Sequence, residues 1–217
     1  MEVKWIGNTS FLIKTSLGRR ILLDPIQINT SIKNYDFNLD IITFSHMYNK
    51  EILNFSENKK VKILNSICNF ENEYIKIESY KTYKDNVNGY KRGENIIYML
   101  NCEGYRICHL GSLGHLLNKE LISKVYRCDL LFIPIGGNFC LDGKSASKLI
   151  KHINPKIIIP MAFKSSFDYP YLDGPYKFLL NTENVISLND NKLYLNDFKN
   201  LSNSTVIIMS DKNKEPL

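Results

Sequence analysis

No stretch of this chain approaches the roughly 18 consecutive apolar residues needed to cross a bilayer, and no basic, apolar, small-residue leader pattern opens it. Those absences lead us to expect a cytoplasmic protein with no membrane partner. The cysteines offer no framework either. Cys68, Cys102, Cys108, Cys128 and Cys140 contain no C-x-x-C pair, and five is an odd number, so buried free thiols are expected rather than disulfides. No internal repeat and no Gly-, Pro- or Ser-rich linker divides the 217 residues. One domain over 1–217 is therefore expected, with a frayed tail at about 211–217. The formal net charge is +6, but Lys and Arg are scattered among acids and Asn instead of forming a stripe, which argues against a nucleic-acid partner.

What is present is a series of short apolar runs rich in β-branched side chains, alternating with turn signals. Residues 2–6, 11–15 and 20–24 predict an antiparallel meander turned at Gly7-Asn8 and Leu17-Gly18, and 26–35 a polar loop. Asp40-Ile41-Ile42-Thr43-Phe44-Ser45-His46 predicts a buried strand that delivers a Ser-His pair into a loop, where layered α/β proteins place their chemistry. A short helix is expected at 50–55, and strands at 61–64 and 74–80. Residues 95–100 and 105–110 predict a hairpin turned at Glu103-Gly104. Helical spacing covers 116–126, and a second helix follows Asp142 as N-cap through about Ile153. Strands at 130–135, 156–161, 185–188, 192–195 and 205–209, with a short helix after 168–175, complete the chain.

Several motifs resemble the metallo-β-lactamase superfamily. Residues 45–51, Ser-His-Met-Tyr-Asn-Lys-Glu, stand where that family shows T-H-x-H-x-D-H, with Tyr48, Lys50 and Glu51 replacing His, Asp and His. The opening Trp5-Ile6-Gly7-Asn8 and the Asp24-Pro25 pair resemble W-x-G-H and D-P. Asp85, Gly89, Arg92, Gly93, His109, Leu110, Gly111, Gly114 and His115 fit the L-ascorbate-6-phosphate lactonase-like branch. In that comparison Lys84 replaces a ligand His, Ser112 the bridging Asp and, in Ile159-Pro160-Met161-Ala162, Ala162 another His. Pro134 to Gly137 resembles the P-x-G-G turn. The resemblance implies an α/β fold, a four-layer αββα sandwich, in a family that hydrolyses lactone, ester or phosphodiester bonds with zinc or manganese.

Only His46 remains from the ligand set that the resemblance implies, and a catalytic zinc needs about three protein ligands. The expectation is therefore no metal cofactor and no confident catalytic residue. A remnant pocket is expected around His46, Tyr48, Lys50, Glu51, Lys84, Ser112 and Ala162. Lys50 and Lys84 would repel a dication, and they could occupy its space by pairing with Glu51, His46 or Asp85. With Arg92 and backbone donors at Gly136 and Gly137, such a pocket would bind a small anion, or the protein would bind a protein partner. A homo-oligomer stays open. The alternative is a divergent hydrolase, either through relocated ligands (His46, Glu51, His115, Asp142, Cys140) or without metal, Ser112 acting with His109 or His115.

Overall fold

Short, strongly β-branched segments separated by turns dictate strands, and in the computed structural model, which describes residues 1–25, 38–46, 61–165, 171–201 and 204–210, they build two sheets. β1 (Glu2–Gly7), β2 (Ser10–Lys14) and β3 (Arg20–Leu23) form the expected antiparallel meander. β1 alternates buried and half-buried positions, as a strand with one face in the core must. β4 (Ile41–Thr43) and β5 (Lys62–Leu64) then add in parallel.

The second sheet begins with antiparallel β6 (Asn69–Glu71), β7 (Ile75–Tyr83), β8 (Glu94–Cys102) and β9 (Tyr105–His109). It continues in parallel through β10 (Leu130–Pro134) and β11 (Ile157–Met161). β12 (Val185–Ser187) and β14 (Thr205–Ile208) extend this sheet, while β13 (Lys192–Tyr194) returns to pair with β1. The strand orders are β13-β1-β2-β3-β4-β5 and β12-β14-β11-β10-β9-β8-β7-β6. Pairing of β11 with β14 stops at Ile158, so Pro160 interrupts no ladder on that side.

α1 (Lys119–Val125) and α2 (Gly143–Ile153) are the crossovers between parallel strands, and α3 (Tyr176–Leu179) is a single turn. Right-handed crossovers place α1 and α2 on one face of the sheet. α2 turns Ala146, Leu149, Ile150 and Ile153 inward, and Asp142 caps it, its carboxylate accepting from the Ser145 amide at 2.7 Å. α1 starts later than its periodicity predicts because Asn118 accepts from the Leu121 amide and fixes the N-terminus there, leaving Leu116 exposed. β6 was not expected from its polar sequence, and β7 runs three residues past the expected end. The helix expected at 50–55, the loop at 26–35 and the tail at 211–217 lie outside the described residues.

The two sheets face one another across an aromatic and aliphatic core. Phe11 of β2 meets Phe132 of β10 with ring centroids 4.2 Å apart, and Trp5 meets Phe163 at 5.6 Å. Leu12, Leu22, Leu39, Ile42 and Phe44 form a second cluster belonging to the six-stranded sheet. Cys102, Cys108, Cys128 and Cys140 are buried free thiols and Cys68 is half-buried. Burial pushes Cys102 and Cys140 up to about 11 and Cys128 to about 12. No helix among the described residues is long and apolar enough to cross a membrane.

A buried tyrosine helps tie the sheets together. The fully buried Tyr98 of β8 shares its hydroxyl proton between the carbonyls of Phe44 and Leu64, each 2.9 Å away at the ends of β4 and β5. Its phenol is pushed well above the usual tyrosine range, chiefly by burial. Replacing Tyr98 with Phe removes this donor at little steric cost; Leu64 O keeps the Phe44 amide at 2.9 Å, and the Phe44 carbonyl loses the bond. Tyr98→Phe is expected to lose about 1–3 kcal/mol of stability, measured by urea denaturation.

Candidate functional site

The ends of β3, β4, β7, β9, β10 and β11 carry, in turn, Asp24, Ser45-His46, Lys84, Ser112, residues 136–140 and Ala162. Asp24 is fully buried with φ of 45°, a left-handed conformation that Asp tolerates better than most residues. Its carboxylate accepts from the Ser45 amide at 2.6 Å and from the Ser45 hydroxyl. Because that hydroxyl gives its proton to Asp24, its 3.0 Å contact with His46 Nδ1 is one in which Nδ1–H donates. The His46 imidazole is thereby set as the Nδ1–H tautomer. Its pKa is lowered, first by burial, against the pull of Asp24 and with help from Lys84 and His109.

The loop after β9 closes on this junction. Gly111 has φ of +59°, and a Cβ there would lie 2.4 Å from Ser45 Cβ and 2.6 Å from Asn95 Oδ1. Only glycine allows that approach. Asn95, fully buried, donates through Nδ2 to Thr82 Oγ1 at 2.8 Å and Leu110 O at 3.0 Å, and accepts from the Ser112 amide at 2.8 Å. Sequence reasoning overlooked Asn95; an Asn at the mouth of an apolar strand was the available signal.

Two histidines serve this loop. His109 is fully buried beside Phe11 and Phe132, and Nε2–H donates to Thr9 O at 2.9 Å. Burial lowers its pKa, and Nδ1 has no hydrogen-bond partner among the described residues. His115 Nε2 accepts from the Tyr83 amide at 3.2 Å, while Nδ1–H donates to Leu116 O at 2.9 Å. With both its nitrogens engaged, His115 is not disposed to act as a base for Ser112.

Residues 84–93 form a closed loop, with the Lys84 amide bonded to Gly93 O. Its organiser is Asp85, which sequence reasoning offered as an ion-pair partner for Lys50 and Lys84. The structure corrects this: the Asp85 carboxylate accepts from the amides of Val87, Gly89, Lys91 and Arg92 at 2.7–3.0 Å. Burial pushes Asp85 up, but those four donors together pull it below the usual carboxylate value. Lys84 is half-buried; burial lowers its pKa, Asp24 opposes that, and Arg92 adds to it. One carboxylate, two cations and a neutral imidazole therefore act on one another at these strand ends.

Gly136 and Gly137 are both buried. The Gly137 amide donates to Leu141 O at 2.9 Å, and a Cβ on Gly136 would lie 2.1 Å from Ala162 O. The Gly136-Gly137 turn thus lets two loops touch, and the Gly137 amide is already engaged. Ala162 is buried with φ of 50°, its amide bonded to Asn8 O. Cys140 points its thiol at the carbonyls of Gly137, Leu141 and Ala162. Asp142 caps α2, so it and Cys140 have structural partners. Tyr48, Lys50 and Glu51 lie outside the described residues.

Zinc asks for about four ligands from His, Cys and carboxylate. Among the described residues no three such groups come together. Asp24 is committed to Ser45, and the charge of Lys84 acts on both Asp24 and His46. The described donor set does not fit a dication.

Residues 2–162 match a family model described as a beta-lactamase superfamily domain. A UPF0173 metal-dependent hydrolase of Methanosarcina mazei is 24% identical over 199 residues, covering 77% of this chain and 85% of that protein. One of Thermoplasma volcanium is 27% identical over 197 residues, covering 77% and 86%. A solved protein of the metallo-beta-lactamase superfamily from Thermotoga maritima superposes with a TM-score of 0.71 at 25% identity, over 96% of this chain and 98% of that one.

The Asp85 cage carries a pH signature. Its folded pKa lies below the 3.8 of the free side chain, so its stabilisation is present above that value and is lost as pH falls through the folded one. Asp85→Ala is expected to unfold at lower urea than the parent at pH 7, and the gap should narrow as the pH falls below 3.8 and through the folded-state pKa.

Proposed function

The chain belongs to the metallo-β-lactamase superfamily, and from that premise we propose that it keeps the framework of the metal-dependent hydrolases while its pocket binds a small anion through side chains instead of a dication. The observation that carries this reading is the setting of Lys84. It stands where the family resemblance puts a ligand histidine, it is half-buried, and its charge acts on Asp24 and His46. A metal in that position would supply positive charge to polarise a substrate and activate water; an ammonium supplies the charge without the Lewis acidity. Hydrolysis by the family's route therefore loses its electrophile, whereas attraction for an anion survives.

The electrostatics support the same reading. Asp24 offsets one of the two cations, Lys84 and Arg92, while the charge of Asp85 is taken up by four backbone amides of its own loop. Burial holds the pKa values of Lys84 and His46 down, so an arriving phosphate or carboxylate would pull both back up. Anion binding should then be accompanied by proton uptake at these two side chains. Ser45 gives its hydroxyl proton to Asp24 and both nitrogens of His115 are engaged, so neither Ser45 nor a Ser112–His115 pair is set up as an activated nucleophile.

Two measurements test this. Elemental analysis of protein purified without chelator is expected to show far less than one zinc, manganese or iron per chain. Inorganic phosphate at constant ionic strength is expected to raise the melting temperature, by linkage of about 2.7 kcal/mol at a hundred times Kd, and Lys84→Met should abolish the shift. Stoichiometric metal with chelator-sensitive turnover of an ester, lactone or phosphodiester would select the divergent-hydrolase alternative.

A further inference from the structure

Beside the cationic corner stands a pair of aromatic rings that the core does not use. Phe139, in the loop after β10, is 54% exposed, and Tyr171 is 65% exposed. The two rings meet edge to face, with centroids 6.4 Å apart at 89°. Asn138 Nδ2 donates to the Tyr171 carbonyl and ties the two loops together. The Arg92 guanidinium lies 5.7 Å from the centre of the Phe139 ring. Exposed aromatics held in register by a ring contact, a backbone tether and a cation form a preformed apolar wall, and the ordering cost of such a wall is met before any ligand arrives.

The wall is continuous with the proposed pocket through two links. Arg92 acts on Lys84 and also on Cys140, the residue after Phe139. Cys140 in turn points its thiol toward the carbonyl of Ala162. The chemistry at this edge is thus a guanidinium 5.7 Å from one of a pair of π faces, with Lys84 feeling the charge of that guanidinium. Charge alone would be satisfied by any small anion; the rings ask for a flat body attached to it.

We propose that the ligand of this site is an aromatic anion, a planar ring carrying a phosphate or carboxylate, with the anionic group at Lys84 and Arg92 and the ring against Phe139 and Tyr171. This rests on the anion-binding reading above and narrows its ligand class. The competing use of the same wall is contact with a second copy of the chain.

Titration calorimetry with inorganic phosphate, phenyl phosphate and cyclohexyl phosphate separates these possibilities, because the two esters match in charge and size and differ in planarity. Phenyl phosphate is expected to bind roughly tenfold more tightly than cyclohexyl phosphate. Phe139→Ala and Tyr171→Ala should each shrink that ratio toward one, weakening phenyl phosphate more than cyclohexyl phosphate or inorganic phosphate. Lys84→Met should weaken all three ligands together. Since both rings are exposed, the alanine variants are expected to keep the parental melting temperature, which checks that they fold. Equal affinity for the two esters, or a preference that survives both alanine variants, overturns the proposal while leaving the anion site standing. Failure of all three ligands to bind overturns both. A parent that sediments as a dimer and a Phe139→Ala variant that sediments as a monomer would assign the wall to self-association, against the proposal.

Discussion

A carboxylate sealed away from water is tolerable only where donors and a counter-charge surround it, and Asp24 is this fold's instance. It ends β3, grips both donors of Ser45 at the end of β4, and so fixes where the His46 ring begins. Everything around the pocket is arranged to keep that junction dry and compensated. Gly111 comes within touching distance of Ser45, Asn95 saturates the neighbouring backbone, and the Ile96 amide takes the Ser45 carbonyl at 2.6 Å. Lys84 supplies the opposing charge. The two charges act on one another, and burial lowers the pKa of the lysine while Asp24 raises it.

The loop that presents Lys84 is itself built around a negative charge, and the two carboxylates have different tasks. Among the described residues the Asp85 carboxylate accepts from four backbone amides, which makes it an internal clasp for residues 85–92. Asp24 meets a serine and the field of an ammonium, which couples it to Lys84. Adjacent residues 84 and 85 thus divide the labour. One directs charge at the site, and the other holds the turn that aims it.

Much of the architecture was legible because strand-forming runs such as 130–134 and 157–161 are unbroken apolar segments bounded by turn residues, and because Gly104 marks a tight hairpin turn, in which Glu103 also takes a positive φ. The start of α1 was misjudged because Leu116 and Leu117 continue the apolar spacing, whereas Asn118 decides the matter by capping. β6 escaped notice because Asn69-Phe70-Glu71 gains its place from pairing with β7 and has little intrinsic preference. In the site, positions matching family ligands could be read from the motifs, but the partners of Asp85 could not. Spacing does not reveal whether a carboxylate faces a cation or four amides. Asn95 and Phe139 carried no motif at all, and only the folded chain brings them to Ser112 and Arg92.

The four sealed cysteines have a practical consequence. A thiolate is the species that alkylating reagents attack, and these sulfurs are both shielded and held protonated at neutral pH. They become reactive only when the chain opens. Their modification rate is therefore a built-in clock for opening events: Cys108 on β9 and Cys128 just before β10 time the centre of the larger sheet, and Cys140 times the loop beneath the aromatic pair, all in the unaltered protein and without any attached dye.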